Sequence, residues 1–186
     1  MRGLLTLLAA LGLTGGAGLA AEPAPEDRDP FKRRRWSLAA CGGFNFGDAA
    51  KGEMASGHLG VGYQVLDDLG LHLDAFGAYV RSGIDDDGAA IGADLTIRWH
   101  VLRLPDRRGT LFLDAAAGLQ QASTHYSGSR HFNFRLHPGI GLTLDSGPIH
   151  LLGGARYLHI SDAAVAGGGG GGFDGVFVYL GVLLPR

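Results

Sequence analysis

The 186-residue chain has one cysteine, Cys41, so it cannot build the internal disulfide framework of a small exported scaffold. Leu38-Ala39-Ala40-Cys41 resembles a lipoprotein cleavage box. Lys32-Arg33-Arg34-Arg35 stands just before it, however, and leaves no apolar stretch for export. Neither sign of charge dominates: 16 basic residues face 18 acidic ones, which excludes nucleic acid as the expected partner. Lysine is nearly missing, with only Lys51 from Trp36 onward, whereas a soluble surface usually carries more. Beyond the first residues no apolar run is long enough to cross a bilayer as a helix. Glycine is abundant at 33 residues, but the Gly-X-Y period of collagen is absent.

What is present begins with an export pattern. Arg2 and the short apolar run Leu4 to Leu13, followed by small residues at Gly18 to Ala21, read as a signal peptide over 1–21. A proline-rich, charged linker follows over 22–35. From 36 to 186 the chain reads as one β-domain of eight strands, near 36–46, 56–66, 69–80, 90–101, 110–120, 131–144, 149–161 and 175–184.

Several of these strands alternate strictly. Ile91, Ala93, Leu95, Ile97, Trp99 and Val101 share one face, and Asp94, Thr96, Arg98 and His100 share the other. Phe132, Phe134 and Leu136 oppose His131, Asn133, Arg135 and His137 in the same way. A soluble sandwich or lipocalin-like barrel buries the apolar face; a membrane barrel turns it to lipid and packs the charges inside. The strands reach the ~9–11 residues that a tilted membrane strand needs, and the polar faces mix signs. Asp74, Asp94, Asp114 and Asp145 are therefore expected to meet Arg98, Arg135 and Arg156 in the lumen. Connections one, three, five and seven are expected to be long, two and six short and the fourth intermediate, as in an outer-membrane barrel with both termini in the periplasm. The expected fold is an all-β, eight-stranded antiparallel outer-membrane β-barrel. The chain ends Leu183-Leu184-Pro185-Arg186, without the terminal aromatic residue common in such barrels.

The segment Arg156-Tyr157-Leu158-His159-Ile160-Ser161-Asp162-Ala163 carries the chemistry. Strand parity places His159 and Ser161 on the lipid-facing side at the outer rim, and Asp174 opens the returning strand on the same parity. Two readings stand on these residues alone. One is a serine esterase acting on a membrane lipid: Ser161 attacks, His159 transfers the proton, Asp174 holds the imidazole, and N–H groups at Asp162, Ala163 and Ala164 form the oxyanion hole. The other is a set of interfacial polar residues on a non-catalytic barrel, structural or porin-like. Lesser signals are His100, His131 and His137 on the internal parity, read as hydrogen-bonded rather than metal-binding, and Asp85-Asp86-Asp87, read as a solvated loop. Lys32 to Arg35 reads as a solvated tail, or as a contact to inner-leaflet phosphates.

Gly154-Ala155-Arg156-Tyr157-Leu158-His159-Ile160-Ser161-Asp162-Ala163 resembles the His-x-Ser-Asn-Ala motif of the PagL family of outer-membrane lipid A 3-O-deacylases, also called acyloxyacyl hydrolases. Phe173 to Val182 is similar to that family's last strand, which begins with its triad acid. His131 to Phe134 and Leu111 to Asp114 are similar to earlier strands. The resemblance implies an eight-stranded barrel that removes the 3-O-linked acyl chain of lipid A, with His159 as base, Ser161 as nucleophile and Asp174 as acid. It implies no metal or other cofactor. It implies lipid A, or lipopolysaccharide, among the outer-membrane lipids as partner, with the active site at the outer leaflet. A monomer and a homodimer both remain open. Three positions depart from the family pattern: Asp162 replaces an Asn, Gly170 to Gly172 replace an Asn-Pro-Gly turn, and Asp174 is shorter than Glu.

Overall fold

Alternation of side chains across a pleat decides the architecture, because each strand has one apolar and one polar face. The strands are β1 Trp36–Gly47, β2 Glu53–Leu66, β3 Leu69–Arg81, β4 Gly88–Arg103, β5 Gly109–Ala122, β6 Phe132–Ser146, β7 Ile149–Asp162 and β8 Phe173–Pro185. Each pairs antiparallel with its neighbours in sequence, and β1 pairs with β8 to close a barrel. Closure leaves no unpaired sheet edge, which is the condition for backbone to cross a bilayer as strands. The computed structural model describes residues 29–47, 52–82, 86–105, 108–124, 131–162 and 172–186. The expected signal peptide (1–21) and residues 22–28 of the expected linker lie outside them.

The observed strands are longer than the sequence pattern suggests. Glu53 to Ala55 pair with Arg81 to Tyr79, so the first connection contracts to 48–52. It is no longer than the fourth, 104–108, which corrects the expectation of a long first loop. The connections at 67–68 and 147–148 are tight, with positive φ at Asp68 (65°) and Gly147 (80°). The seventh, 163–172, is the longest.

The apolar parity faces outward. Leu59, Leu73, Ile91, Leu95, Leu136 and Leu180 are exposed around the wall. Trp36, Trp99 and Tyr63 lie near the end with the tight turns. Phe44, Phe46, Tyr79, Phe132, Phe134 and Tyr157 lie toward the opposite end. An apolar belt between two aromatic girdles is the outer surface of a membrane barrel.

The charges are inside. Asp114 accepts two hydrogen bonds from Arg98 (2.8 and 3.0 Å) and two from Arg156 (2.6 and 3.1 Å). Asp94 meets His137 at 3.1 Å and Arg135 at 3.6 Å. Arg98 and Arg135 also lie over the rings of Phe112 and Phe76, at 4.1 and 3.8 Å from the ring centroids. Removing one partner from such a buried set costs about 3–5 kcal/mol. Glycine makes room for the large groups: a Cβ at Gly92 would lie 2.6 Å from the Phe76 ring.

Two lumen assignments need correction. Asp145 has inward parity, but it is the second-last residue of β6, paired with His150 at the rim beside the 147–148 turn. It is exposed there, and its carboxylate accepts the Gly147 N–H at 2.9 Å. His131 precedes β6 and is exposed; its Nδ1 lies 2.9 Å from the Ala122 carbonyl oxygen. His100, His131 and His137 therefore do not converge. The acidic run is only partly within the described residues. Asp87 there is engaged rather than simply solvated, accepting Tyr79 O–H at 2.5 Å and Ser82 N–H at 3.2 Å.

Both ends of the lumen are stoppered. Met54, Val80, Ile160 and Phe173 are buried together at the long-loop end. At the other end Phe31 is buried against His100, with ring centroids 4.0 Å apart. Residues 29–35 thus cap the barrel instead of forming the end of a free linker or a solvated tail. Between the stoppers, a void lined by Cys41, His72, Asp74, Arg156 and Tyr179 measures about 10 Å³. That is roughly the space of one water. Among the described residues the interior between the stoppers is closely packed.

Candidate active site at the outer rim

The β7–β8 register creates the site. β7 starts at the tight 147–148 turn and runs to the long seventh connection, so His159 lies near its long-loop end. Across the sheet, His159 is directly opposite Asp174. Directly opposed side chains have Cβ atoms about 4.5–5.5 Å apart. A short aspartate therefore spans the gap, and His159 Nδ1 lies 2.7 Å from Asp174 Oδ1. A carboxylate at Nδ1 requires that nitrogen to carry the proton, which leaves Nε2 as the acceptor. This is the tautomer a general base needs.

Tyr157, two residues before His159 on the same face, donates its hydroxyl to the same Asp174 oxygen at 2.5 Å. The carboxylate is thus held by two donors from β7. The sequence reading put Tyr157 on this face without giving it a role. The available signal was its i−2 spacing from His159, which became informative only with the β8 register.

Ser161 occupies the expected face, one pleat beyond His159 and opposite Phe134 of β6. It lies past Ile160↔Phe173, where the β7–β8 pairing ends. Among the described residues no hydrogen bond joins Ser161 to His159. The structure therefore brings His159 and Asp174 together and leaves Ser161, the expected nucleophile, adjacent but uncoupled. Residues two apart in a strand are roughly 7 Å apart along it, and His159 is held sideways by Asp174. Catalytic hydrogen bonds of this kind commonly tighten only with substrate bound.

The surroundings differ on the two sides of the wall. Behind the site, Leu158, Ile160 and Phe173 are buried in the lumen stopper and brace β7 and β8. In front, Phe134 and Leu136 of β6 are exposed beside Ser161 and His159, their register partners. Side-chain exposures of 40% for His159 and 47% for Asp174 leave the pair open to an incoming lipid. Gly172 abuts the imidazole: a Cβ there would come within 3.2 Å of His159 Cε1. Asp162 pairs through its backbone with Asn133. Its side chain, Ala163 and Ala164, named from sequence as oxyanion-hole residues, lie outside the described residues, as do Gly170 and Gly171.

Taken together, the closed barrel, apolar belt and charged lumen define an eight-stranded barrel of the outer-membrane class. The fold is similar to that of Neisserial surface protein A, with TM-score 0.62 and 15% sequence identity over 81% of this chain and 96% of that one. It is also similar to the outer membrane enzyme PagL, with TM-score 0.57 and 18% identity over 81% of this chain and 99% of that one. At these identities the likeness is one of fold. No protein-family model matches the sequence, and no curated protein matches it.

Proposed function

We propose that the protein is an outer-membrane serine esterase that removes the 3-O-linked acyl chain of lipid A. The observation that carries this reading is the 2.7 Å contact between His159 Nδ1 and Asp174 on the lipid-facing side of the rim, with Ser161 next on the same face. A buried polar cluster has structural uses, but a His–Asp pair facing lipid carries a solvation cost without adding to the core. The resemblance of the His159-x-Ser161 segment and of β8 to the PagL family supplies the substrate, and the fold similarity to PagL is consistent with it.

In the proposed reaction Ser161 Oγ attacks the ester carbonyl carbon while His159 Nε2 takes the hydroxyl proton. The tetrahedral intermediate collapses, the C–O bond to the sugar breaks, and His159 returns the proton to the departing sugar oxygen. Water then attacks the acyl-serine with His159 again as base, releasing the fatty acid and restoring Ser161. Asp174 orients the imidazole and stabilises its cation throughout, and Tyr157 holds Asp174. Exposed Phe134 and Leu136 offer the acyl chain an apolar track beside the nucleophile.

Fatty acid released from purified lipopolysaccharide by the detergent-refolded protein tests the proposal. Release is expected from the intact chain. Ser161→Ala and His159→Ala are expected to lower it by about 10⁵-fold or more. Equal release by the alanine variants would refute the assignment.

A further inference from the structure

The basic run Lys32-Arg33-Arg34-Arg35 is a fixed turn on the rim opposite the esterase site. Phe31 anchors it inside the lumen, and the Phe31 carbonyl accepts the Asp68 N–H at 2.8 Å. The Asp67 carboxylate accepts the Arg33 N–H at 2.8 Å. Arg34 N–H donates to the Gln64 carbonyl at 2.7 Å, and the Arg35 carbonyl accepts the Gln64 N–H at 2.9 Å. Arg34 sits at φ 66°, a conformation uncommon for a residue with a long side chain, so the surrounding bonds specify this shape.

The nearby acids are already engaged. Asp29 and Asp68 both pair with Arg103, at 2.5 and 2.6 Å, and Asp67 accepts the Arg33 backbone. Lys32, Arg33 and Arg34 are exposed, and among the described residues no ion pair involves them. Trp36 follows at once, packed on Tyr63 with ring centroids 4.7 Å apart, and marks the membrane interface. Next to it the wall is apolar: Leu38 and its β8 register partner Leu184 are both exposed. Three unpaired cations thus stand just beyond an aromatic girdle and an acyl-sized apolar surface.

We propose that this turn binds the headgroups of anionic phospholipids in the leaflet at the tight-turn end of the barrel. The chemistry required is a phosphate on an amphiphile. The cations take the phosphate, Trp36 the glycerol level, and Leu38 and Leu184 the chains. The proposal rests on the membrane-barrel reading and is independent of hydrolysis, so the two fail separately. A rigid turn loses little conformational freedom on binding, which favours it over a loose basic tail.

The test reconstitutes the full chain in vesicles of mixed phosphatidylcholine and phosphatidylglycerol and measures which lipid co-purifies with it by native mass spectrometry. Phosphatidylglycerol is expected to be enriched, by about fivefold per engaged charge, with the enrichment falling as salt is raised. The variant Lys32→Gln/Arg33→Gln/Arg34→Gln should lose the enrichment, and Lys32→Arg should keep it. Both should retain the intact chain's heat-modified gel shift, since all three side chains are exposed. Millimolar inorganic phosphate in the buffer should leave the lipid in place. Enrichment that survives in the triple variant, or none in the intact chain, would overturn the proposal. Complete displacement by inorganic phosphate would do so too, pointing to a free-phosphate site instead.

Discussion

Among the described residues two histidine–aspartate pairs stand out, and their surroundings separate them. In the lumen, His137 lies 3.1 Å from Asp94, both side chains almost wholly buried, with Arg135 at 3.6 Å. At the rim, His159 lies 2.7 Å from Asp174, both roughly half open, with a serine on the same face. The lumen pair is sealed inside the wall, away from any substrate, so it acts as a structural contact. The rim pair contributes little packing: both side chains are about half open and neither belongs to the buried core. The same two residue types are structural where protein surrounds them and available for chemistry where lipid does. The contrast also gives the interfacial, non-catalytic alternative a definite form: under it, both pairs behave as structural contacts.

Four substitutions probe that contrast. Asp174→Asn should have the largest effect: about 10³–10⁴-fold lower fatty acid release, because an amide at this position no longer fixes the imidazole tautomer. Its unfolding free energy should fall by less than about 1 kcal/mol. Asp94→Asn should do the reverse. It leaves Arg135 buried without its carboxylate and should cost about 3 kcal/mol in urea unfolding from detergent micelles. Its release rate per folded molecule should match the intact chain. If the two variants instead lose stability and activity in parallel, the distinction between the pairs collapses.

Tyr157→Phe sharpens the comparison. Removing the Tyr157 O–H donor from Asp174 should cost about 1 kcal/mol of transition-state stabilisation, roughly fivefold in rate. The substrate concentration at half-maximal rate should hold, since Tyr157 acts through Asp174. The smallest expected effect is that of Gly172→Ala. Its new methyl presses on His159 at 3.2 Å from Cε1, so a decrease of about two- to threefold is expected from slight misplacement of the ring. A rate at or above that of the intact chain would show that the imidazole has room to spare.

How far the sequence reaches follows from the same physics. Period-two alternation is local, so all eight strands and their faces were legible, and with them the placement of His159, Ser161 and Asp174 on the lipid side. Register is not local. That Asp174 falls directly opposite His159, and that Tyr157 therefore shares its carboxylate, depends on how β7 and β8 slide past each other. The ten-residue connection between them, 163–172, does not specify that. Asp145 and His131 were misplaced because parity says which way a side chain points but not where the rim lies: Asp145 is at the last residues of β6 and His131 just before its first. The cap was missed because Asp29, Pro30 and the basic run have a linker's composition. Its one informative residue, Phe31, acquires meaning only when His100 and His150 form the mouth beneath it.

The most direct measurement sets the two pairs side by side. Fatty acid release from lipopolysaccharide is followed for the intact chain, Asp174→Asn and Asp94→Asn, each normalised to the folded fraction. The account predicts release by the intact chain and by Asp94→Asn at equal rates, and a loss of at least about 10³-fold in Asp174→Asn. Release by Asp174→Asn equal to that of the intact chain, or no release from any of the three, would contradict it.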